Sequence, residues 1–461
     1  MIFKAYFYTL FTALLSTALA VVVGSVASYF TAQRKFWGRN LLLSTSAIPL
    51  CVPPLVVALG YVSFFGVNGS LNQFFHSNKA FLYTTAGVII AQGFYNFPYV
   101  LGILNDAIEN LPKEQSDAAR LLGAGKIRVF FTITLRQLSG SIGAACLPVF
   151  LFCFFSFMII LLFSPAGKST LEVELYHSIR NTLDISAGIK IALLETFTAL
   201  GIVFMYALII KKNQAPSGIT FVKEKKSLGR SDAFTFVPVI LLILLFFICP
   251  LFCIFTSGFK SFALLFKIKS FWNAFFTSIW IGLLTGFFCT LLGFLYSINV
   301  RLFKKQQNVL LQTIPFISMA VSSVLISWIA SVTFRSNNPL VLVLLQVILY
   351  WPLAFRQIQS GINQISLETQ MAAAMLSKNI FNSVFRVYIP SVKKYLLSSF
   401  GFCFAVSLGD ATMPLILSIK NFNTLALYTY RLAGSYKFSA ACACGAIIAV
   451  LSALIFRGVK K

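Results

Sequence analysis

Eleven apolar stretches of helix-spanning length divide this 461-residue chain, within 7–30, 41–65, 81–104, 140–163, 187–210, 234–257, 271–299, 308–333, 338–358, 396–418 and 436–456. About twenty apolar residues in helical form cross the roughly 30 Å hydrocarbon layer of a bilayer. Lipid offers no hydrogen bonds, so a spanning segment must satisfy its backbone within itself, as a helix does. The pattern predicts an all-α polytopic membrane protein of about 11 helices. Composition agrees: 58% of residues are hydrophobic and 11% charged, where a soluble domain carries about 25% charged residues. Too few charges remain to cover a water-facing surface.

The net charge is +25, from 37 Lys+Arg against 12 Asp+Glu. On a soluble protein such an excess suggests nucleic acid. Here the basic residues lie mostly between apolar stretches, where they set membrane orientation, and no nucleic-acid partner is expected. Only Lys4 precedes the first stretch, whereas Arg34, Lys35 and Arg39 follow it. A cleavable signal carries its positive charge in front, so this reads as a retained helix with its N-terminus outside. That choice puts 25 of the 37 basic residues on the inner side and, with an odd number of spans, the C-terminus in the cytoplasm.

Chemistry-bearing motifs are sparse. The nine cysteines sit in apolar runs without a CxxC, and His76 and His177 belong to no metal-ligand pattern. We read the cysteines as small packing residues and expect no metal site and no cofactor on this chain. Gly123-Ala124-Gly125-Lys126 lacks the leading glycine and the following Ser/Thr of a phosphate-binding loop. If ATP is used, another chain binds it. No cluster of His, Asp or Cys supports a membrane enzyme.

The halves of the chain are related. Pro98 precedes SDAARLLGAGKIRVFFTITLRQL, and Pro352 precedes TQMAAAMLSKNIFNSVFRVYIPSV, at a constant offset of 254. Ala118-Ala119 fall on Ala372-Ala373, Leu122 on Leu376, Gly123 on Ser377 and Phe131 on Phe385. One ungapped register over nearly forty positions implies duplication and a path between two pseudo-symmetric halves. The expected organisation is a first repeat at 1–211 with about five spans, a basic linker at 212–233, and a second repeat at 234–461 with about six. Each repeated loop (106–138 and 361–394) predicts two short helices with a turn at Gly123 or Ser377, on the cytoplasmic face.

This loop resembles the EAA loop of ABC importer permeases, a pattern of Glu-Ala-Ala, three residues, then Gly. The copies here read Asp117-Ala118-Ala119 with Gly123, and Met371-Ala372-Ala373 with Ser377. Asp for Glu in one, and Met and Ser in the other, depart from the pattern. The resemblance implies the type I (MetI-like) permease fold with two tandem repeats, and no catalytic residues on the chain itself. It also implies that the loops dock on cytoplasmic ATP-binding subunits, two copies, through Leu122 and Leu376, with Asp117 accepting a charge-assisted hydrogen bond. A periplasmic or lipid-anchored binding protein would deliver the substrate. The strings FYNFPYVLGILNDAIENLP (94–112), STLEVELYHSI (169–179), SLGD (407–410) and TLALYTYRLAGSY (424–436) further resemble the fused permease subunit of bacterial thiamine importers. Fused iron(III) permeases share an SLG-acidic segment and are the competing reading. The thiamine family has a further helix in front, which predicts that the chain either lacks it or starts upstream.

Of the acidic residues, Glu195 and Asp410 fall well inside predicted spans, where an ionisable group costs roughly 2.5–3.5 kcal/mol on insertion scales. Asp410 suits either contact with a cationic substrate or satisfaction of backbone amides freed after Gly409. Glu195 suits an interhelical hydrogen bond or a lining position. Tyr428, Tyr430 and Tyr436 could add cation–π attraction to a thiazolium. An ion-coupled secondary carrier, which would need no ATPase, is the remaining alternative class.

Overall fold

The computed structural model describes all residues except 1, 45–51, 77–79, 112–113, 213–225, 228, 303–310, 312–313, 316, 335–337, 366, 378 and 461. Most of the expected linker, Cys51, and six residues of window 308–333 therefore lie outside the described residues. Among those described, nine helices are long and apolar enough to cross a membrane. Two further windows are helical in another way. Window 308–333 contributes the twelve-residue helix Ser323–Phe334. Window 396–418 falls on Ile389–Gly409, which stops at Asp410 and resumes as Thr412–Leu417.

The chain forms two compact units, Met1–Pro49 with Val57–Cys253, and Leu50–Val56 with Ile254–Lys461. In the first, α1 (Ile2–Gln33) packs along α2 (Thr85–Glu109) and against α4 (Leu135–Phe154). Between α2 and α4 lies the short α3 (Glu114–Leu121). After α4 come α5 (Met158–Phe163), α6 (Leu171–Arg180) and α7 (Ile185–Lys212). The second unit repeats this order. There α8 (Lys269–Leu302) packs on α9 (Leu340–Asn363), followed by α10 (Leu367–Leu376), α11 (Ile389–Gly409), α12 (Thr412–Leu417), α13 (Leu425–Gly434) and α14 (Phe438–Lys460).

The 254-residue register reaches well beyond the loops. The starts of α11, α12 and α13 lie 254 residues after those of α4, α5 and α6. A one-turn π-helical widening recurs in the same register, at Phe130–Thr134 and Val384–Tyr388. This changes one expectation. The second short helix of each loop is not separate, because its backbone runs through the π turn into α4 or α11.

The first long helix of each unit is matched at a different offset, 269 residues, and by small residues that let helices approach closely. A Cβ on Gly24 would lie 2.7 Å from Val100 Cβ and 3.0 Å from Phe97 O; one on Gly293 would lie 2.8 Å from Phe355 N. Two hydroxyls recur with them. Ser16 Oγ donates to Gln92 Oε1 and Thr285 Oγ1 to Gln346 Oε1, both at 2.9 Å. Thr9 Oγ1 accepts from Leu171 N at 2.9 Å, and Ser278 Oγ from Leu425 N at 2.6 Å. Each bond satisfies an orphan amide at the start of a helix.

Past the end of α1, Arg34 grips Asp232 with two nitrogens, at 2.8 and 3.1 Å. Asp232 Oδ2 also accepts from Gly229 N at 3.2 Å. The guanidinium hydrogen bond, and then the backbone donor, hold the Asp232 carboxyl below the usual carboxylate range.

Candidate functional site

The residues expected at the coupling site occupy two exposed helix ends. On α3, Asp117 and Ala118 are exposed and Ala119 is partly covered. Gly123 adopts φ +85°. Its N–H donates to Arg120 O at 2.9 Å, while Ala124 N–H reaches Ala119 O at 3.0 Å. This pair of bonds is the Schellman termination, which places a left-handed residue after the helix and so favours glycine. The turn leaves Leu121 and Leu122 each 89% exposed. Gln137 Nε2 donates to Gln115 Oε1 at 2.7 Å, fastening α3 to α4.

In the second unit, α10 presents exposed Ala372 and buries Ala373. The helix ends with Ser377 N–H donating to Ala373 O at 3.2 Å. Leu376 is 85% exposed, and Met371 and Met375 are exposed beside it. Both ends thus present aliphatic side chains that the rest of the chain leaves uncovered.

Asp410 lies at the break between α11 and α12. Its Oδ1 accepts from Thr412 N at 3.0 Å and Met413 N at 3.2 Å. Its Oδ2 accepts from Gln346 Nε2 at 3.3 Å, and the Tyr350 hydroxyl is a further partner. Gln346 Oε1 in turn accepts from Ser407 at 2.6 Å and Thr285 at 2.9 Å. The carboxylate therefore replaces the amides' lost helical acceptors and ties α8, α9, α11 and α12 together. Tyr428, Tyr430 and Tyr436 are not among its partners. Tyr428 and Tyr430 lie on α13, where the Tyr428 hydroxyl meets Ser270 Oγ at 3.3 Å. Tyr436 is exposed in the turn that follows.

The first unit answers this network differently. Ser156 stands in the register of Asp410 and Asn96 in that of Tyr350. Gln92 Nε2 and Asn96 Oδ1 are buried without a hydrogen-bond partner among the described residues. The first unit has its own acids instead. Glu195 of α7 is fully buried, and so is Glu172 of α6, its electrostatic neighbour across the helix pair; neither Glu195 oxygen has a hydrogen-bond partner among the described residues. Ala426 and Ala449 hold the matching positions of the second unit, so the helix pair does not need carboxyls to form. The sequence reading missed Glu172, which lies in a short helix of mixed polarity outside every apolar window. Among the described residues no group of three His, Cys, Asp or Glu could hold a metal ion.

Residues 5–211 match the family described as binding-protein-dependent transport system inner membrane component. The thiamine transport system permease protein of Brucella abortus (strain 2308) is 26% identical, over 96% of this chain and 84% of its own length. That of Escherichia coli (strain K12) is 24% identical, over 98% of this chain and 88% of its own. The chain thus resembles binding-protein-dependent importer permeases, by a family match over 5–211 and by similarity over nearly its whole length. A sulfate transport system permease protein of Synechocystis is 34% identical over a shorter stretch, 28% of this chain and 46% of its own length. The nine apolar helices among the described residues agree with a multi-pass inner-membrane transport component, as that family is described. The matched stretch covers the elements α1 to α7, which α8 to α14 repeat.

Proposed function

We propose that the chain is the translocating subunit of an ATP-driven importer for thiamine or its phosphates. The reading is carried by similarity at nearly full length to thiamine permeases, over 96% and 98% of the chain. Substrate would pass between the two repeats after delivery by a periplasmic or lipid-anchored binding protein. ATP would be hydrolysed on two separate cytoplasmic subunits that grip the ends of α3 and α10. The exposed Leu122 and Leu376 would be covered there, and the C-terminus would share that side. Binding and hydrolysis would then bias the repeats between outward and inward access.

Asp410 serves in this reading as a fastening of the pathway rather than a substrate ligand, since its oxygens already meet two amides, Gln346 and Tyr350. Glu172 and Glu195 remain the acids through which the first repeat could act on a cation.

The test is uptake by proteoliposomes holding the permease, its ATP-binding subunit and its binding protein. ATP-dependent accumulation of radiolabelled thiamine, with no accumulation of iron(III), is the expected result. Iron(III) uptake without thiamine uptake would move the assignment to the competing importer type. Transport by the permease reconstituted alone would replace the motor-driven mechanism with a secondary carrier.

A further inference from the structure

From Ile254 onward the chain contains just two acidic residues, Glu368 and Asp410. Lys260, Lys267 and Lys269 nevertheless cluster, exposed, around the short turn between the spans Phe234–Leu265 and Lys269–Arg301. None of the three has an ion-pair partner among the described residues. The turn is not a loose loop. A Cβ on Gly258 would lie 2.6 Å from Ala443 N, so the backbone is held directly against α14.

Aromatic rings sit at the same level. Phe266 and Trp272 lie 5.8 Å apart and Trp272 and Phe276 6.0 Å apart, and Trp272 Nε1 donates to Phe266 O at 2.8 Å. These rings head an exposed stripe down one face of α8, through Trp272, Phe276, Trp280, Leu283 and Phe287 to Leu295. From Trp272 to Leu295 the helical rise gives roughly 35 Å, the hydrocarbon thickness plus a little. The stripe is thus a lipid-facing surface, and the lysines stand where headgroups begin.

Along the same helix, fourteen residues below Lys269 or roughly 21 Å, Leu283 borders a wholly apolar groove of about 240 Å³. Ile279 of α8, Phe400, Phe404 and Leu408 of α11, and Leu451 of α14 line it with Leu283. That depth is comparable to the length of an acyl chain whose headgroup is at the lysines.

We propose that this corner of the second unit is a binding site for an anionic phospholipid. The headgroup is held by Lys260, Lys267 and Lys269, and one acyl chain lies in the groove between α8, α11 and α14. The inference needs only that the chain spans a bilayer, and holds whatever the transported substrate. Three unpaired cations favour a negative headgroup, and the aromatic collar continuous with the lipid-facing stripe favours a lipid over a soluble acidic protein.

The test compares phosphatidylglycerol with phosphatidylcholine of identical acyl chains, using native mass spectrometry of the purified full-length protein. Phosphatidylglycerol is expected to be retained at least about fivefold more than phosphatidylcholine, with the preference weakening as salt rises. The triple variant Lys260→Gln, Lys267→Gln, Lys269→Gln should lose the preference. Leu283→Trp, which fills the groove, should lower retention of both lipids. Amine labelling of the unmodified protein in lipid nanodiscs gives a readout independent of variant folding: phosphatidylglycerol should protect the three lysines and phosphatidylcholine should not. Equal retention of the two lipids, an undiminished preference in the triple variant, or protection appearing only when the soluble binding protein is added would overturn the proposal.

Discussion

At the residue scale, two glutamines in matching register show how the repeats have diverged. Gln346 gives its Nε2 to Asp410 and takes hydroxyls from Ser407 and Thr285, whereas Gln92 keeps the helix-to-helix hydroxyl bond but leaves Nε2 unpartnered. Removing a donor from a buried carboxylate costs more than removing an amide already half satisfied. Gln346→Leu should therefore destabilise the detergent-solubilised protein by about 1–3 kcal/mol more than Gln92→Leu, read as the difference in their unfolding transitions. Equal losses would mean that the Gln346–Asp410 bond contributes nothing. A second residue-scale effect concerns pH. The Asp232 carboxyl is held below its ordinary value by Arg34, so its ionised form is favoured in the folded state. That contribution is complete above the unfolded carboxylate range near pH 4 and fades as pH falls through the lower folded value. Asp232→Asn should flatten the acid limb of a thermal-stability profile below about pH 4 and leave the decline per pH unit unchanged at pH 6–8.

At the scale of elements, the crossing of the long first helix over its partner is governed in each unit by one glycine. Adding a single methyl at Gly24 or Gly293 drives it into neighbouring backbone as well as side chains. Overpacking of this kind typically costs about 1–3 kcal/mol. Gly24→Ala and Gly293→Ala should each lower stability by that amount, while Gly201→Ala, with open space around its Cβ position, should not. This pairing also marks where sequence reading stops. The loop repeat was visible because consecutive residues match in one register. The α1–α8 equivalence was hidden because the offset changes from 254 to 269, and because its evidence is isolated pairs such as Thr9 with Ser278 and Ser16 with Thr285. Their common role emerges only when each hydroxyl is seen meeting the same partner. Glu172 was hidden for another reason: burial there is imposed by packing against α1 and α7, not by the polarity of its own helix.

At the scale of the whole molecule, the proposed coupling rests on two similar but unequal exposed helix ends. The end of α3 offers Leu121 and Leu122 behind a Schellman turn at Gly123; the end of α10 offers Met375 and Leu376 behind a plainer termination. Burying an aliphatic side chain in a partner cleft contributes about 1.5–3 kcal/mol, and a carboxylate placed there forfeits this and adds a desolvation cost. Leu122→Asp and Leu376→Asp should thus weaken docking while leaving each repeat's interior untouched, because both side chains already face solvent. In proteoliposomes, each single variant should lower the substrate moved per ATP hydrolysed. The double variant should abolish uptake although the chain still inserts and the ATP-binding subunit still turns over. If only Leu122→Asp has an effect, the second helix end is vestigial and force enters through the first repeat alone. Unchanged coupling in the double variant would place the motor's grip elsewhere on the chain.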